Sequence, residues 1–303
     1  MIPTAFLQAW STRAPWPDLR QVEQDLIICR ALCDLFNAPA LAGKLAFRGG
    51  TAIHKLLFSQ ALRYSEDIDL VQTHPEPIGG TVDAIRAALS WLGRCNREQA
   101  GHSMHLVFKF RPEIDTQATL KLKVEINTRE HGNLLGIRRY PFAVDNGWYR
   151  GATEIVSFEP EELFGTKLRA MLQRRRNRDL FDLHQGIEQL SMAPEKIIAC
   201  FEHYLALEGR PITRAMAEQR MLEKLTRSLT EDVAPMLPAS VRWSDSDAIE
   251  AFGLVWTTLV ARLGGDGWKR SEEVIERLRA DRYPALLGPR ESAVSSRQAS
   301  VRS

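Results

Sequence analysis

The sequence predicts a small α/β or α+β sheet domain followed by a helical half. Two observations indicate this. Up to about Phe158, stretches with the 3.6-residue period of a helix alternate with stretches of strand character, and after Ser157 the patterned stretches are all helical. The 303 residues, 44% of them hydrophobic and 26% charged, are enough for one large domain or two ordinary ones with a buried core.

The first predicted elements are a helix, a strand and a second helix that follows a glycine turn. The stretch "DLRQVEQDLIICRALCDLF" repeats its apolar residues at a helical period. "KLAF" predicts a short strand that leads into Arg48, Gly49 and Gly50. Thr51 is then either the N-cap or a first-turn residue of a helix through "AIHKLLFSQAL".

A second strand, a helix and two further strands complete the predicted sheet domain. "EDIDLVQ" predicts a strand, and "GGTVDAIRAALSWLGR" predicts a helix with a glycine start. "HLVFKFRP" and "ATLKLKVEINTRE" predict two strands that form a hairpin through the intervening polar segment. The order from Asp18 to Phe158 is therefore α, β, α, β, α, β, β.

Three parts of the chain follow from these patterns. We expect residues 1–158 to form the sheet domain with its N-terminal helix, and residues 159–288 to form a C-terminal helical bundle. Residues 289–303, "PRESAVSSRQASVRS", have almost no large apolar side chain, which predicts a disordered tail.

Hydropathy predicts no transmembrane helix, and the cysteine usage favours a reducing cytoplasm. The net charge is only +2, no run of eighteen apolar residues occurs, and the N-terminal residues lack the apolar core of a signal peptide. The four cysteines form no C-x-x-C pair. Cys29 and Cys33 are one helical turn apart, so we expect them in the core rather than in a zinc site or disulfide.

Two aspartates in "RYSEDIDL" are the strongest candidates for chemistry. Residues two apart on a strand point to the same face, so Asp67 and Asp69 project together. Two adjacent carboxylates repel unless a cation lies between them, and Mg²⁺ (or Mn²⁺) prefers such oxygen ligands together with substrate phosphates. The alternative is a solvent-exposed strand end, which is what an isolated D-x-D usually is.

A third carboxylate lies on the polar face of "LKLKVEIN". Glu125 shares that face with Lys121 and Lys123, while Leu122 and Val124 face the core. Three carboxylates are what a two-metal phosphoryl or nucleotidyl transfer site needs. A cross-strand salt bridge between Glu125 and a lysine is the open alternative.

The glycine turn supplies the other half of such a site. Backbone N–H groups at a helix N-terminus bind phosphate oxygens, and glycines allow the ligand to approach closely. The Walker A pattern G-x-x-x-x-G-K-[ST] is absent. The candidate nucleotide-binding residues of this segment are Arg48, Gly49, Gly50, Thr51 and Lys55.

Four segments together resemble the AbiEii/AbiGii family of nucleotidyltransferase toxins. They are "FRGGTAIHKL", "RYSEDIDL", "EELFGTKLRAML" and "RDLFDL", and the resemblance spans roughly Leu41 to Leu183. It implies an α+β fold like that of DNA polymerase β in residues 1–158, with the helical bundle behind it. It also implies a toxin of a bacterial toxin–antitoxin or phage-defence (abortive infection) system, with a cognate antitoxin as partner.

Carried over position by position, the resemblance gives roles to individual residues. Gly49, Gly50 and Thr51 match the nucleotide-binding turn, and Asp67 and Asp69 match the catalytic metal ligands. Further matches concern the essential lysine, the later acidic motif and a position that some relatives modify to silence the toxin; these are Lys167, Asp182 (with Asp179 as the other candidate) and Ser65, respectively. Ser65 and Lys167 are also candidate nucleotide contacts.

The arginine-rich stretch "QRRRNRD" completes the candidate site. A solvated charge run is the ordinary interpretation. Beside a nucleotidyltransferase site the arginines become candidate RNA contacts, namely Arg174, Arg175, Arg176 and Arg178. No histidine is assigned a catalytic role, and His54 is the one nearest to the glycine turn in sequence.

The resulting functional hypothesis is a metal-dependent toxin that transfers NMP from an NTP to an RNA acceptor, the tRNA 3′ end. This would block aminoacylation and stop translation and growth. Two alternatives stay open: a nucleotidyltransferase that modifies a small molecule such as an antibiotic, and a nucleotide-binding partner module without turnover.

Overall fold

The computed structural model describes residues 2–101, 103–113, 115 and 117–288. Its described part contains ten α-helices and a seven-stranded mixed sheet. The tail predicted for residues 289–303 lies outside the described residues. None of the described helices is both long and apolar enough to cross a membrane.

The sheet is built from residues of the first half of the chain. Its strands are β1 (Leu45–Arg48), β2 (Asp67–Gln72), β3 (Cys95–Ala100), β4 (Ser103–Phe110), β5 (Leu120–Asn127), β6 (Ile137–Asp145) and β7 (Arg150–Phe158). Their order across the sheet is β3-β4-β5-β2-β1-β7-β6. The pairs β2–β5 and β1–β7 are parallel, and the other four neighbouring pairs are antiparallel.

Four helices precede or interrupt the strands, and six follow them. The first group is α1 (Thr4–Trp10), α2 (Leu19–Asn37), α3 (Gly49–Leu56) and α4 (Gly79–Ala88). The second group is α5 (Pro160–Gln173), α6 (Arg178–Gln189), α7 (Pro194–Glu208), α8 (Arg214–Lys224), α9 (Asp245–Thr258) and α10 (Ser271–Asp281). The last strand thus ends at Phe158, and the helical part begins two residues later.

Two large apolar clusters hold these elements together. One joins α1, α2 and α4 to one face of the sheet through side chains such as Leu26, Leu32 and Val124. The other lies mainly among the six C-terminal helices and reaches the sheet domain at Ala46, Ile53 and other residues. At about 25 cal/mol for each Å² of buried apolar surface, such clusters supply the main driving force for folding.

The structure confirms the main predicted elements and adds others. The helix α2, the strands β1 and β2, the helix α4 and the β4–β5 hairpin occur where the patterns indicated them. The helix after the glycine turn begins at Gly49, so Thr51 lies in its first turn and is not the N-cap. Helix α1 and strands β3, β6 and β7 were not predicted.

The missed strands have a physical reason. Residues 96–100 of β3 are all exposed, because β3 is an edge strand and lacks the apolar alternation of a half-buried strand. On the opposite edge, β6 carries Pro141, a residue that usually argues against a strand but is tolerated at a sheet edge.

Candidate active site

The turn between β1 and α3 brings two sets of charged side chains close together. Gly49 has a φ of +84°, and a side chain there would collide with the carboxylate of Asp69. A Cβ on Gly50 would lie 2.7 Å from Nη2 of Arg63 and 3.6 Å from Nζ of Lys167. The backbone of the turn therefore stands between an aspartate and two cations. The positive φ and the Asp69 contact require glycine at position 49, and a side chain at position 50 would have to displace the Arg63 guanidinium.

On one side of the turn, β2 and β5 place three carboxylates on one face of the sheet. Asp67 is paired in register with Lys123, and Asp69 is paired with Glu125. The Lys123 ammonium lies 3.4 Å from Asp67 Oδ2 and 3.1 Å from Glu125 Oε2. Nε2 of His105 is 3.4 Å from Glu125 Oε2. Glu125 is thus paired with a lysine of its own strand, whereas the cross-strand ion pair that Lys123 makes is with Asp67.

The negative charge of this group is incompletely compensated. Burial, followed by the neighbouring Asp67 and Glu125 carboxylates, raises the pKa of Asp69 to about 6. Burial also raises the pKa of Asp67, although Lys123 opposes it. Burial is the largest single influence on Glu125 and acts against its charged form, but the hydrogen bond and charge of Lys123, together with His105 and Ser103, outweigh it, so the pKa of Glu125 is lowered.

These side chains fit a divalent cation bound by two carboxylates better than one bound by all three. Three carboxylates and one ammonium, Lys123, sum to −2, and the Asp69 carboxylate accepts no hydrogen bond from any described residue. Within the described ranges no group of three or more His, Cys, Asp or Glu side chains is arranged to hold a metal ion. Lys123 already engages Asp67 and Glu125, so the ligands available to a cation are Asp69 and the other Asp67 oxygen. The role of Glu125 as third ligand stays a prediction.

On the other side of the turn, Asp182 is fully buried and surrounded by cations. It accepts hydrogen bonds from Nε and Nη2 of Arg63, each at 2.7 Å, and lies 2.9 Å from Nζ of Lys167. Nε2 of His54 is 2.9 Å away. Burial would raise the pKa of Asp182, but Arg63 and Lys167 outweigh it and hold that pKa well below its usual range.

Asp179 extends this network toward the turn between α5 and α6. Its carboxylate lies 3.1 Å from Nζ of Lys167 and accepts hydrogen bonds from Nε and Nη2 of Arg174 at 2.7 and 2.8 Å. Despite its burial, the pKa of Asp179 is lowered by Lys167 and Arg174. The two aspartates considered for the acidic motif are therefore both in the network, and Asp182 is the one that joins Arg63 to Lys167.

His54 supports Asp182 as a neutral imidazole. Burial lowers the pKa of His54 to about 4, although Asp182 opposes this shift. Its Nδ1 is buried without a hydrogen-bond partner, so the proton belongs on Nε2, which donates to Asp182. The sequence pointed to His54 only by its nearness to the glycine turn.

Thr51 and Ser65 connect the turn to the start of β2. The buried Thr51 hydroxyl donates to the backbone carbonyl of Asp67 at 2.5 Å. Its hydrogen is then used, so the Ser65 hydroxyl donates to Thr51 Oγ1 at 2.7 Å. Both hydroxyls thus hold the position of Asp67, and their roles in binding nucleotide stay predictions.

Arg48 and Lys55 each form their ion pair with an acidic residue outside the three-carboxylate group. Arg48 is paired with Glu130, which also binds Arg169 at 2.7 Å. The Lys55 ammonium is 2.7 Å from Asp25 of α2, on the apolar side of the sheet domain. The structure therefore does not bring Lys55 to the glycine turn, because Asp25 binds its charge in the α2–α3 contact.

The four arginines of the predicted RNA-contact run differ in their surroundings. Arg174 is bound to Asp179, and Arg178 is half-buried near Arg63 and Arg174, which together with burial lower its pKa. Arg175 and Arg176 are exposed and form no ion pair with any residue that the structure describes. Arg63 has a central position that sequence reasoning missed, whereas strand phase had already placed Lys123 on the face of the carboxylates. In the sequence, Arg63 is one arginine among many, and its partner Asp182 is 119 residues away.

Comparison with known proteins identifies relatives of the chain. Residues 30–251 match the family model described as nucleotidyl transferase AbiEii toxin, type IV TA system. No curated protein matches the chain.

Among solved structures, the chain is similar to MenT4, a nucleotidyltransferase toxin from Mycobacterium tuberculosis H37Rv. The TM-score is 0.62 at 15% identity, over 94% of this chain and 98% of that one. It is also similar to a putative nucleotidyltransferase from H. pylori, with a TM-score of 0.50 at 14% identity over 79% of this chain and 94% of that one. These likenesses show a shared fold.

Proposed function

Because the chain belongs to the AbiEii family of nucleotidyltransferase toxins, we propose that it transfers NMP from an NTP to the hydroxyl of an RNA acceptor, the 3′ end of tRNA, and releases pyrophosphate. Loss of a free tRNA 3′ end would block aminoacylation and inhibit translation and growth. The type IV toxin–antitoxin description of the family implies a cognate antitoxin. NTP, tRNA and translation place this activity in the cytoplasm.

One observation carries the proposal: the glycine turn separates a group of net charge −2 from a network of net charge +1. The first contains Asp67, Asp69 and Glu125 with Lys123. The second contains Arg63, Lys167 and Arg174 with Asp179 and Asp182. A negative pocket beside a positive one suits a metal ion and a triphosphate, respectively.

The protein residues would divide the work as follows. Asp67 and Asp69 would hold Mg²⁺ or Mn²⁺, which supplies positive charge to the phosphate oxygens and the attacking hydroxyl. Lys167 and Arg63 would hold the triphosphate against the backbone of Gly49 and Gly50. Asp182 and His54 would keep both cations in place. Residues 1–158 would thus act as the nucleotidyltransferase domain, with Lys167 contributed by the helical domain, residues 159–288.

Ser65 would be a point of control. Its half-buried hydroxyl donates to Thr51 and lies two residues before Asp67. A phosphate or nucleotide added there would break this hydrogen bond. It would also add negative charge beside the Asp67 and Asp69 carboxylates, which already repel one another. The enzyme would then lose affinity for the triphosphate.

The test is the transfer of label from an α-labelled NTP to total tRNA. We expect wild-type protein to label tRNA and Asp67→Ala to reduce the rate by about a thousandfold or more, since a lost metal ligand costs several kcal/mol in the transition state. Asp83→Ala, which removes an exposed aspartate of α4, is the matched control. Expression of Asp67→Ala should also no longer arrest growth.

Three outcomes would contradict the proposal. Undiminished transfer by Asp67→Ala would remove the aspartates from the chemistry. Labelling of an aminoglycoside but of no RNA would favour a small-molecule enzyme, whereas calorimetric binding of NTP and Mg²⁺ without any labelled acceptor would favour a partner module without turnover.

A further inference from the structure

A broad groove opens in the helical part of the molecule, next to the turn between α5 and α6. It has a volume of about 1140 Å³ and lies between that turn, the segment 208–212 at the end of α7, one face of α8 and the segment 226–232. This volume is sufficient for several linked nucleotides and larger than a single small ligand needs.

The groove is lined by seven lysine and arginine side chains against four glutamates and aspartates. Three of the acidic groups accept hydrogen bonds from neutral donors: Glu208 from the Gln173 amide, Glu223 from the Gln219 amide, and Asp232 from the backbone N–H of Asn177. Four of the arginines are exposed and form no ion pair with any described residue; they are Arg175, Arg176, Arg210 and Arg227. The groove thus presents uncompensated positive charge.

Two further cations fix the shape of the groove. The ammonium of the buried Lys224 donates to the backbone carbonyl of Arg174 at 2.9 Å, and Arg220 Nη1 donates to the carbonyl of Leu172 at 3.2 Å. Both carbonyls lie at the C-terminal end of α5, where helix carbonyls lack intrahelical partners and cations are favoured. The α5–α6 turn is therefore held in place before any ligand arrives.

The groove leads to the candidate active site through Arg174. This residue lines the groove and also binds Asp179. Asp179 in turn binds Lys167, whose ammonium lies next to Gly50. A polymer that lies in the groove would therefore bring one of its ends toward the glycine turn, whereas a free nucleotide would not need the groove.

We propose that this groove binds the sugar–phosphate backbone of the RNA acceptor. The inference rests on the proposed function for the identity of the polymer. Guanidinium groups suit phosphate oxygens, and the four uncompensated arginines match a chain with one negative charge per nucleotide. No aromatic side chain is among the described residues that line the groove. Contacts from arginine to phosphate carry no sequence information, so this binding would not by itself select a base sequence.

The test compares RNA binding by wild-type protein and by the double variant Arg210→Glu/Arg227→Glu. Neither residue contacts the aspartates, the glycine turn or Lys167. In fluorescence anisotropy with labelled tRNA, we expect the affinity at 0.1 M KCl to fall at least about tenfold. The plot of log K against log salt should become less steep by about 1.5, because two phosphate contacts are lost. Calorimetric affinity for the NTP should not change, which also reports that the variant is folded.

Two further variants show whether the loss of RNA affinity is specific to the groove. Arg94→Glu/Arg97→Glu makes the same change of charge at exposed positions next to and on the edge strand β3, and it should bind RNA as the wild type does. Arg175→Gln/Arg176→Gln on the opposite wall of the groove should weaken RNA binding in the same direction as the first variant.

The outcomes separate this inference from the proposed function. If Arg210→Glu/Arg227→Glu keeps the wild-type affinity and salt slope for RNA, the groove is not the RNA site; loss of binding only to an acidic protein partner would overturn the inference in the same way. If the wild type labels no RNA but its RNA affinity depends on Arg210 and Arg227, the proposed acceptor chemistry fails and the groove stands.

Discussion

Two pairs of aspartates in this molecule have the same chemistry and opposite environments. Asp67 and Asp69 on β2 meet one cation, Lys123, and their pKa values are raised by burial. Asp179 and Asp182 on α6 meet three cations and a histidine, and their pKa values are lowered although both are more deeply buried. Burial alone therefore does not decide the charge state of an aspartate; the number of adjacent cations does.

The difference in adjacent cations determines what each pair of aspartates is able to do. An aspartate that is already saturated by Arg63 and Lys167 has no free oxygen for a ligand, so Asp182 serves to position cations. An aspartate without hydrogen bonds, such as Asp69, retains the electrostatic need for an added cation. Stability has been retained around Asp182 and given up around Asp69, which is the usual pattern at a functional site.

The largest expected effect on the free energy of unfolding comes from removing the charge of Asp182, which already binds Arg63 and Lys167. Asp182→Asn should lower the free energy of unfolding by about 3–5 kcal/mol, because it leaves Arg63 and Lys167 buried with an uncompensated charge. Urea denaturation at pH 7 measures this change.

The matched control for that variant is Asp69→Asn, the same substitution in the other pair. We expect it to raise the free energy of unfolding by about 1–2 kcal/mol, because it removes a carboxylate whose pKa is raised to about 6 by burial and like charges. If both variants destabilise the protein equally, the contrast between the two pairs is wrong.

How much of this contrast the sequence predicts depends on the kind of interaction. Strand period alone placed Asp67, Asp69 and Glu125 on one face, and the register of β2 with β5 confirms that phase. Period also placed Lys123 on that face, but it could not tell whether the lysine would neutralise Glu125 or leave it for a metal. That outcome depends on side-chain positions between two strands.

The cationic network was less predictable for a different reason. Lys167 and Asp182 entered the site through the family resemblance, whereas Arg63 and His54 have partners 119 and 128 residues away. No local pattern indicates that an arginine will be buried, because burial is acceptable only when its partner is present. The fold shows the same limit, since the unpredicted β3 is polar and defined only by its pairing with β4.

The second expected effect is a dependence of the free energy of unfolding on pH, and it arises from His54, the histidine that donates to Asp182. The pKa of His54 is lowered from 6.5 to about 4 by burial. A base with a lowered pKa contributes stability above pH 6.5 that is lost as the pH falls toward 4, because the unfolded chain then binds more protons. We expect this to cost the wild type about 2–3 kcal/mol over that interval.

His54→Gln should remove that loss. The difference in unfolding free energy between variant and wild type should therefore shift in favour of the variant as the pH falls from 6.5 to 4. Asp69 makes a contribution of opposite sign in part of this range, since its raised pKa gives stability that is lost as the pH rises through about 6. It is present in both proteins and cancels in the difference. His74→Gln, at an exposed histidine, is the control; parallel pH profiles for His54→Gln and wild type would contradict the prediction.

The smallest expected effect concerns the affinity for a metal ion and tests Lys123, the cation next to Asp67 and Glu125. Lys123→Gln changes the net charge of the carboxylate group from −2 to −3 and removes the ammonium that lies between Asp67 and Glu125. Mn²⁺ should therefore bind more tightly by about 1 kcal/mol, or roughly fivefold, which is the size of a partly exposed ion pair. Calorimetric titration with Mn²⁺ at low salt measures the change, with Lys121→Gln on the same strand face as control. Unchanged or weaker Mn²⁺ binding would mean that Lys123 does not compete with a metal ion, and the two aspartate pairs would then differ in geometry more than in charge.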